Sequence, residues 1–241
     1  MAKQTGLNVR LYVMGNDLSG DANAVDSMGY TQALLETTPL NAAAATRMTG
    51  LADGGVTVNG YFDNADNKIH ATFTSNSGKL PTADQVVLIP FNSAVGDPAI
   101  GISAKQADYT VNRSPGSAMT VSSTFTGNGM GGEFGAMLTA HDDTHASASN
   151  GTAVDNAASS ASGGSGYLQI MSLASGSVII KIQESANNST WTDLMTFSTV
   201  AAAGAPTAER LTMSGTVARY LRVISSGTFS NAKIAAQFAR F

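Results

Sequence analysis

The feature that most restricts the fold of this chain is apolar alternation with a period of two. Val9, Leu11 and Val13 alternate with Arg10 and Tyr12; Val56 and Val58 with Thr57 and Asn59; Met119, Val121, Ser123 and Phe125 with Thr120, Ser122, Thr124 and Thr126. Successive side chains of a strand point to opposite faces, so each run predicts a strand with one buried face. Residues 85–91 form an unbroken apolar run, which predicts a strand buried on both faces, and residues 100–112 read as its long partner. Only residues 66–75 suit a helix, because Ile69 and Phe73 stand four apart and Gly78 and Pro81 lie past the end. The first part of the chain is therefore expected to be a β-sandwich or partial barrel carrying one short helix.

Residues 146–166 interrupt this pattern with a stretch of Ala, Ser, Gly and Asn that offers little to anchor a core, and it reads as a linker. Beyond it, strands are expected at 167–173, 178–182, 190–197, 209–213, 217–224 and 233–241. Turns at Ser175-Gly176 and at 187–189 separate the first three. Short strands at this spacing predict an Ig-like or jelly-roll β-sandwich. The expected organisation is mainly β, with a first domain at 1–145, a linker at 146–166 and a second domain at 167–241. A chain of 241 residues is long enough for two cores, and the first domain is expected to fold without the second.

Residues 40–53 differ in kind. Asn41 precedes four alanines, then Thr46, Arg47 and Met48, with neither strand alternation nor core bulk. The alanines permit a helix. A long segment without a core role is usually functional, and Leu40, Asn41, Thr46, Arg47 and Met48 are read as an inter-subunit arm that orders against a neighbouring copy. Composition agrees: charged residues make up 12%, against about 25% in typical soluble domains. Such a surface is better hidden against copies of itself than left in water.

The chemistry on offer is sparse. With no cysteine and three histidines, no disulfide, thiolate or nucleophile–base–orienter set can be drawn, so neither an enzyme nor a cofactor is expected. Residues 127–132 satisfy G-x-G-x-x-G but open no helix, and read as a glycine-rich connection. His141 and His145 flank Asp142 and Asp143 with metal-ligand spacing. Their place before the linker favours a solvated polar exit, so no metal is expected. Trp191, Tyr220 and Arg222 are candidates for a surface glycan contact, because aromatic faces and a guanidinium suit stacking on sugars; the competing reading puts the single tryptophan in the core. No apolar window long enough for a membrane span exists, and no signal peptide is read at the N-terminus. Residues 1–145 hold seven Lys or Arg against thirteen Asp or Glu, a net of −6, and the remainder six against four, a net of +2. Neither half has the basic patch that nucleic-acid binding requires.

Four segments taken in order carry a resemblance: Asp17 to Gly20, Gly50 to Asp63, Ala104 to Tyr109 and Gly131 to Leu138. Together they resemble the major tail tube proteins of long, non-contractile-tailed (siphovirus-type) bacteriophages, across roughly residues 7–138. In place of the glycine and aspartate common in that family's arm, this chain has residues 39–45. The resemblance implies a virion structural protein whose copies form hexameric rings, stacked into a tube that conducts DNA without binding it specifically. It implies assembly in the host cytoplasm, residence in the virion tail, and terminator, tip and tape-measure proteins as partners. It also implies that Thr120, Ser122, Thr124 and Thr126 face the lumen, with acids such as Asp108 and Glu133 contributing to its charge and the second domain on the tail exterior. Alternatives are a carbohydrate-binding tail module for host adhesion and a head decoration protein.

Overall fold

The computed structural model describes residues 6–75 and 77–241. The chain is mainly β with one short helix, as expected. Its first half runs β1 (Tyr12–Val13), β2 (Asn16–Asp17), β3 (Ala22–Glu36), β4 (Arg47–Tyr61), α1 (Ile69–Phe73), β5 (Gln85–Pro90), β6 (Pro98–Gln106), β7 (Thr110–Asn112), β8 (Thr120–Gly127) and β9 (Glu133–Met137). The second half runs β10 (Asp143–His145), β11 (Ser149–Asn150), β12 (Val154–Asp155), β13 (Gly164–Ser185), β14 (Thr192–Thr196), β15 (Val200–Ala201), β16 (Thr207–Met213), β17 (Tyr220–Ser226) and β18 (Phe229–Arg240).

The unbroken apolar run became β5, buried at every position and paired antiparallel with β6 through Leu88 and Gly101. β6 then joins β8 at one end and β9 at the other, and β8 pairs with β4. Alternation worked here because these strands bury one face: Val56, Val58, Val121 and Phe125 enter a core with Leu11, Val13, Ile100 and Ile102. α1 closes that core with Ile69 and Phe73, the latter edge-on to Phe125 at 5.4 Å. The first strand is a correction. Leu11, Tyr12 and Val13 are all buried, because the other face of β1 is covered by the second half of the chain.

β13 is a second correction, since the turn read at Ser175-Gly176 does not reverse the chain. β13 runs unbroken for 22 residues. Its first part lies between β16 and β18, its last part between β14 and β17. Ser175 and Gly176 stay paired with Ser230 and Phe229, so the bend hands the strand from one sheet to the other instead of starting a hairpin. Between the layers lie Leu168, Ile170, Ile180, Ile182, Val223, Ile234 and Phe238.

The linker expected at 146–166 is also corrected. β11 and β12 pair with β17, Val154 is buried in the sandwich core, and Gly164 to Gly166 already form the start of β13. Small residues fit there because neighbouring strands approach closely, a demand that composition alone does not reveal.

The two halves share a seam. Tyr12, Leu88, Ala99 and Met137 of the first half pack with Ala235 of the second in one buried cluster. β10 and β9 both pair with β18. Gly101 leaves room for the Tyr167 ring, whose atoms lie 2.7 Å from where a Cβ at 101 would stand. The wholly buried glutamines Gln169 and Gln237 donate across the seam to the carbonyls of Val86 (2.9 Å) and Glu133 (3.0 Å). Buried N–H donors need acceptors, and both of these find theirs in the other half.

Candidate functional site

β3 and β4 pair over nearly their full lengths, from Ala22 and Gly60 to Glu36 and Arg47. β4 is flanked by β8 only from Gly55 to Tyr61. The remainder projects as a two-stranded ribbon. Residues 31–37, 39–49 and 51–53 are exposed. The loop at 37–46 is tied off where Thr46 N–H donates to Thr38 Oγ1 (2.9 Å) and Thr37 N–H to the Thr46 carbonyl (2.9 Å). Cross-strand partners share a face, so Leu34 and Thr49 lie on one side with Glu36 and Arg47, while Leu35 and Met48 lie on the other; a register shift between Gln32 and Leu34 leaves Leu51 without a partner on β3. Leu40 is fully exposed at the tip and Leu51 is 90% exposed. Isolated two-stranded ribbons are marginal in water, and this one carries apolar side chains on both faces.

Leu40, Asn41, Thr46, Arg47 and Met48 are therefore together at the end of an arm. Two details differ from the sequence reading: residues 47–53 are strand rather than loop, because β3 offers a ladder of equal length, and the alanines at 42–45 lie in the loop that joins the two strands and form no helix. β3 itself was missed. Its signal was faint, since only Val25, Met28, Tyr30, Leu34 and Leu35 interrupt a polar run and bulges shift their register. The glycine-rich connection at 127–132 packs on the arm's base, where Gly131 lies against Tyr30 and Gly132 N–H reaches the Gly29 carbonyl.

The second candidate surface is the polar face of β8. Thr120, Ser122 and Thr124 are half-buried and Thr126 exposed, while Val121, Ser123 and Phe125 are buried. Pairing extends the face through Thr57 and Asn59 of β4, Thr110 of β7 and Lys105 of β6. Asn59 Nδ2 donates to Asp26 Oδ2 (2.9 Å). Lys105 meets Asp84 at 2.7 Å, and the hydrogen bond from Lys105 holds the Asp84 carboxyl below its usual range. Asp108 is exposed, with Oδ1 accepting from Thr124 N–H (2.8 Å).

Glu133 does not belong to any such wall. Its carboxylate is buried at the seam, where Arg210 donates through Nε (3.0 Å) and Nη2 (2.8 Å), Ser165 Oγ at 3.2 Å, and Tyr167 Oη closes the set. Burial, then the hydrogen bond to Glu133 and its charge, pushes the Tyr167 phenol up, so it stays protonated as a donor.

In the second half, the Arg222 guanidinium lies 4.2 Å over the Trp191 ring and is held by Gln183 Oε1 at 2.8 Å. Tyr220 instead carries Arg219, which is bidentate to Asp155 at 2.6 and 2.7 Å. Trp191 is half-buried at the surface, with one face covered by Arg222. The two histidines are not a solvated exit: His141 is buried and His145 Nδ1 meets Ser225 Oγ at 2.6 Å within a strand paired to β18. Among the described residues no group of three metal-ligating side chains converges.

No protein-family model matches the chain, and no curated protein matches it. Solved structures similar to it include the tail of an empty gene transfer agent particle with sixfold symmetry. That likeness has 14% identity and a TM-score of 0.38, over 53% of this chain and 96% of that one. A second is the sheath–tube complex of an extracellular contractile injection system (12%, TM-score 0.44, 56% and 92%). A third is the SPP1 Dit protein, a hub of the adsorption apparatus in phages infecting Gram-positive hosts (10%, TM-score 0.37, 97% and 99%).

Proposed function

We propose that the chain is a structural subunit of a bacteriophage tail, and specifically the major tail tube protein. Its copies close into hexameric rings and stack into the tube through which DNA passes, with the β-sandwich of the second half on the tail exterior and terminator, tip and tape-measure proteins at its ends. The observation that carries this reading is the projecting β3–β4 arm, with exposed apolar side chains on both faces and no cover from the described residues of its own subunit. A soluble monomer rarely leaves such a patch open. The polar face of Thr120, Ser122, Thr124 and Thr126 supports the same reading, since neutral hydroxyls offer a sliding phosphate backbone little to bind. Over Trp191 the stacked Arg222 covers one face, which weakens the glycan-binding alternative.

The test is assembly of the purified chain. Rings or tubes are expected in negative-stain electron microscopy. A variant with Leu34→Ser, Leu40→Ser, Met48→Ser and Leu51→Ser, all exposed positions, is expected to melt like the parent, since each such change alters stability by no more than about 0.5 kcal/mol. It is also expected to stay monomeric by light scattering. Normal assembly of that variant would refute the arm's role.

A further inference from the structure

A second apolar feature lies at the base of the arm. Tyr30, Met130, Phe134 and Phe241 line an open groove of about 430 Å³, with Arg240 on its wall. Tyr30, Phe134 and Phe241 are each more than half exposed, so aromatic area faces water at a concave site, the arrangement that anchors protein interfaces.

We propose that this groove seats the arm tip of a second copy of the chain. The inference rests on the tail-subunit reading and names the acceptor that reading leaves open. Within one subunit the contact is geometrically excluded. The ribbon runs from Tyr30 opposite Gly54 to Glu36 opposite Arg47, and at about 3.3 Å per residue its end stands roughly 20 Å from the groove at its root.

Charge complements shape. Arg240 pairs with no carboxylate among the described residues; it donates to the carbonyls of Ala158 (2.8 Å) and Ala218, and its Nε has no partner. The arm brings Glu36, exposed and on the same face as Leu34. A tip entering the groove therefore places Leu34 and Leu40 against Phe134 and Phe241 and an acid near a guanidinium that, among the described residues, holds no carboxylate directly. Because donor and acceptor are different patches of one subunit, the contact is heterologous, and repetition generates rings or stacks rather than closed dimers.

The absence of native cysteines makes the test direct. Two singly substituted proteins, Leu40→Cys at the tip and Phe241→Cys in the groove, are mixed, assembled and mildly oxidised, then run on a non-reducing gel. A dimer band is expected from the mixture, with little from either protein alone. Assembled particles without the mixed crosslink, or a dominant Leu40→Cys homodimer, would overturn the groove as the seat while leaving the tail reading intact. Failure of the unsubstituted chain to assemble would overturn both. As a second measurement, Phe134→Ser with Phe241→Ser is expected to raise the protein concentration needed for assembly at least about tenfold; an unchanged threshold would also overturn the seat.

Discussion

Replacing Arg210 with methionine removes a cation from the seam and leaves its partner behind. The Arg210 and Glu133 side chains are 12% and 11% exposed, and their 2.8 Å contact is one of two parallel bonds in a fork, with Ser165 and Tyr167 completing the shell. Burial by itself pushes the Arg210 guanidinium down, and the hydrogen bonds and charge of Glu133 outweigh it, so the net direction is up. Removing one member of such a pair strands a buried carboxylate and costs about 3 to 5 kcal/mol. That is a large part of the roughly 5 to 15 kcal/mol available to a folded chain. At about 2 to 4 °C per kcal/mol for a chain of this size, the melting temperature is expected to fall by roughly 6 to 20 °C. Urea unfolding of Arg210→Met, Glu133→Gln and the double variant provides the assay. The double variant is expected to be more stable than the sum of the single losses implies, since no unpaired charge remains. A loss below about 1 kcal/mol for Arg210→Met, or additive losses, would refute the claim that this network ties the halves together.

Other outcomes follow from the same seam and from the surface ion pairs. Residues 1–147 alone are expected to lack a cooperative thermal transition by circular dichroism, because Tyr12, Leu88, Ala99 and Met137 lose their cover; a sharp melt would restore the expectation of an independent first domain. Gly101→Ala is expected to cost about 1 to 3 kcal/mol in urea, since its Cβ meets the Tyr167 ring at 2.7 Å. The Asp155 carboxyl is held down to about 2 by its hydrogen bond from Arg219. A depressed folded-state pKa contributes stability above about pH 4 that is lost as pH falls toward 2. Thermal midpoints of Asp155→Asn and the parent should therefore converge at pH 2; a gap unchanged between pH 7 and pH 2 would exclude this source.

The sequence was informative where a strand buries one face against its own neighbours. Val56, Val58, Val121 and Phe125 alternate because one sheet face meets a core, and β5 reads as a run because both its faces do. α1 was legible from Ile69 and Phe73, four apart, with Gly78 and Pro81 beyond. The arm was found by what it lacked, a core pattern, although its strands were not. Sequence pattern records whether a side chain is apolar; it does not record which surface covers it. Hence Tyr12 read as outward-facing while the second half buries it, and residues 146–166 read as a linker because small residues pack between close strands as readily as they flex.

By itself, then, the sequence determined a mainly β chain with one short helix and a segment near Leu40 that has no core pattern. Those properties reside in local periodicity and in which functional groups the chain possesses. The tertiary structure alone decided that the halves share a core, that Glu133 is a buried anchor for Arg210, that β13 crosses from one sheet to the other, and that an aromatic groove lies at the root of the arm. Each depends on contacts between residues tens to more than a hundred positions apart. No local pattern encodes such distances, because a residue's partner across a seam is chosen by the packing of whole sheets.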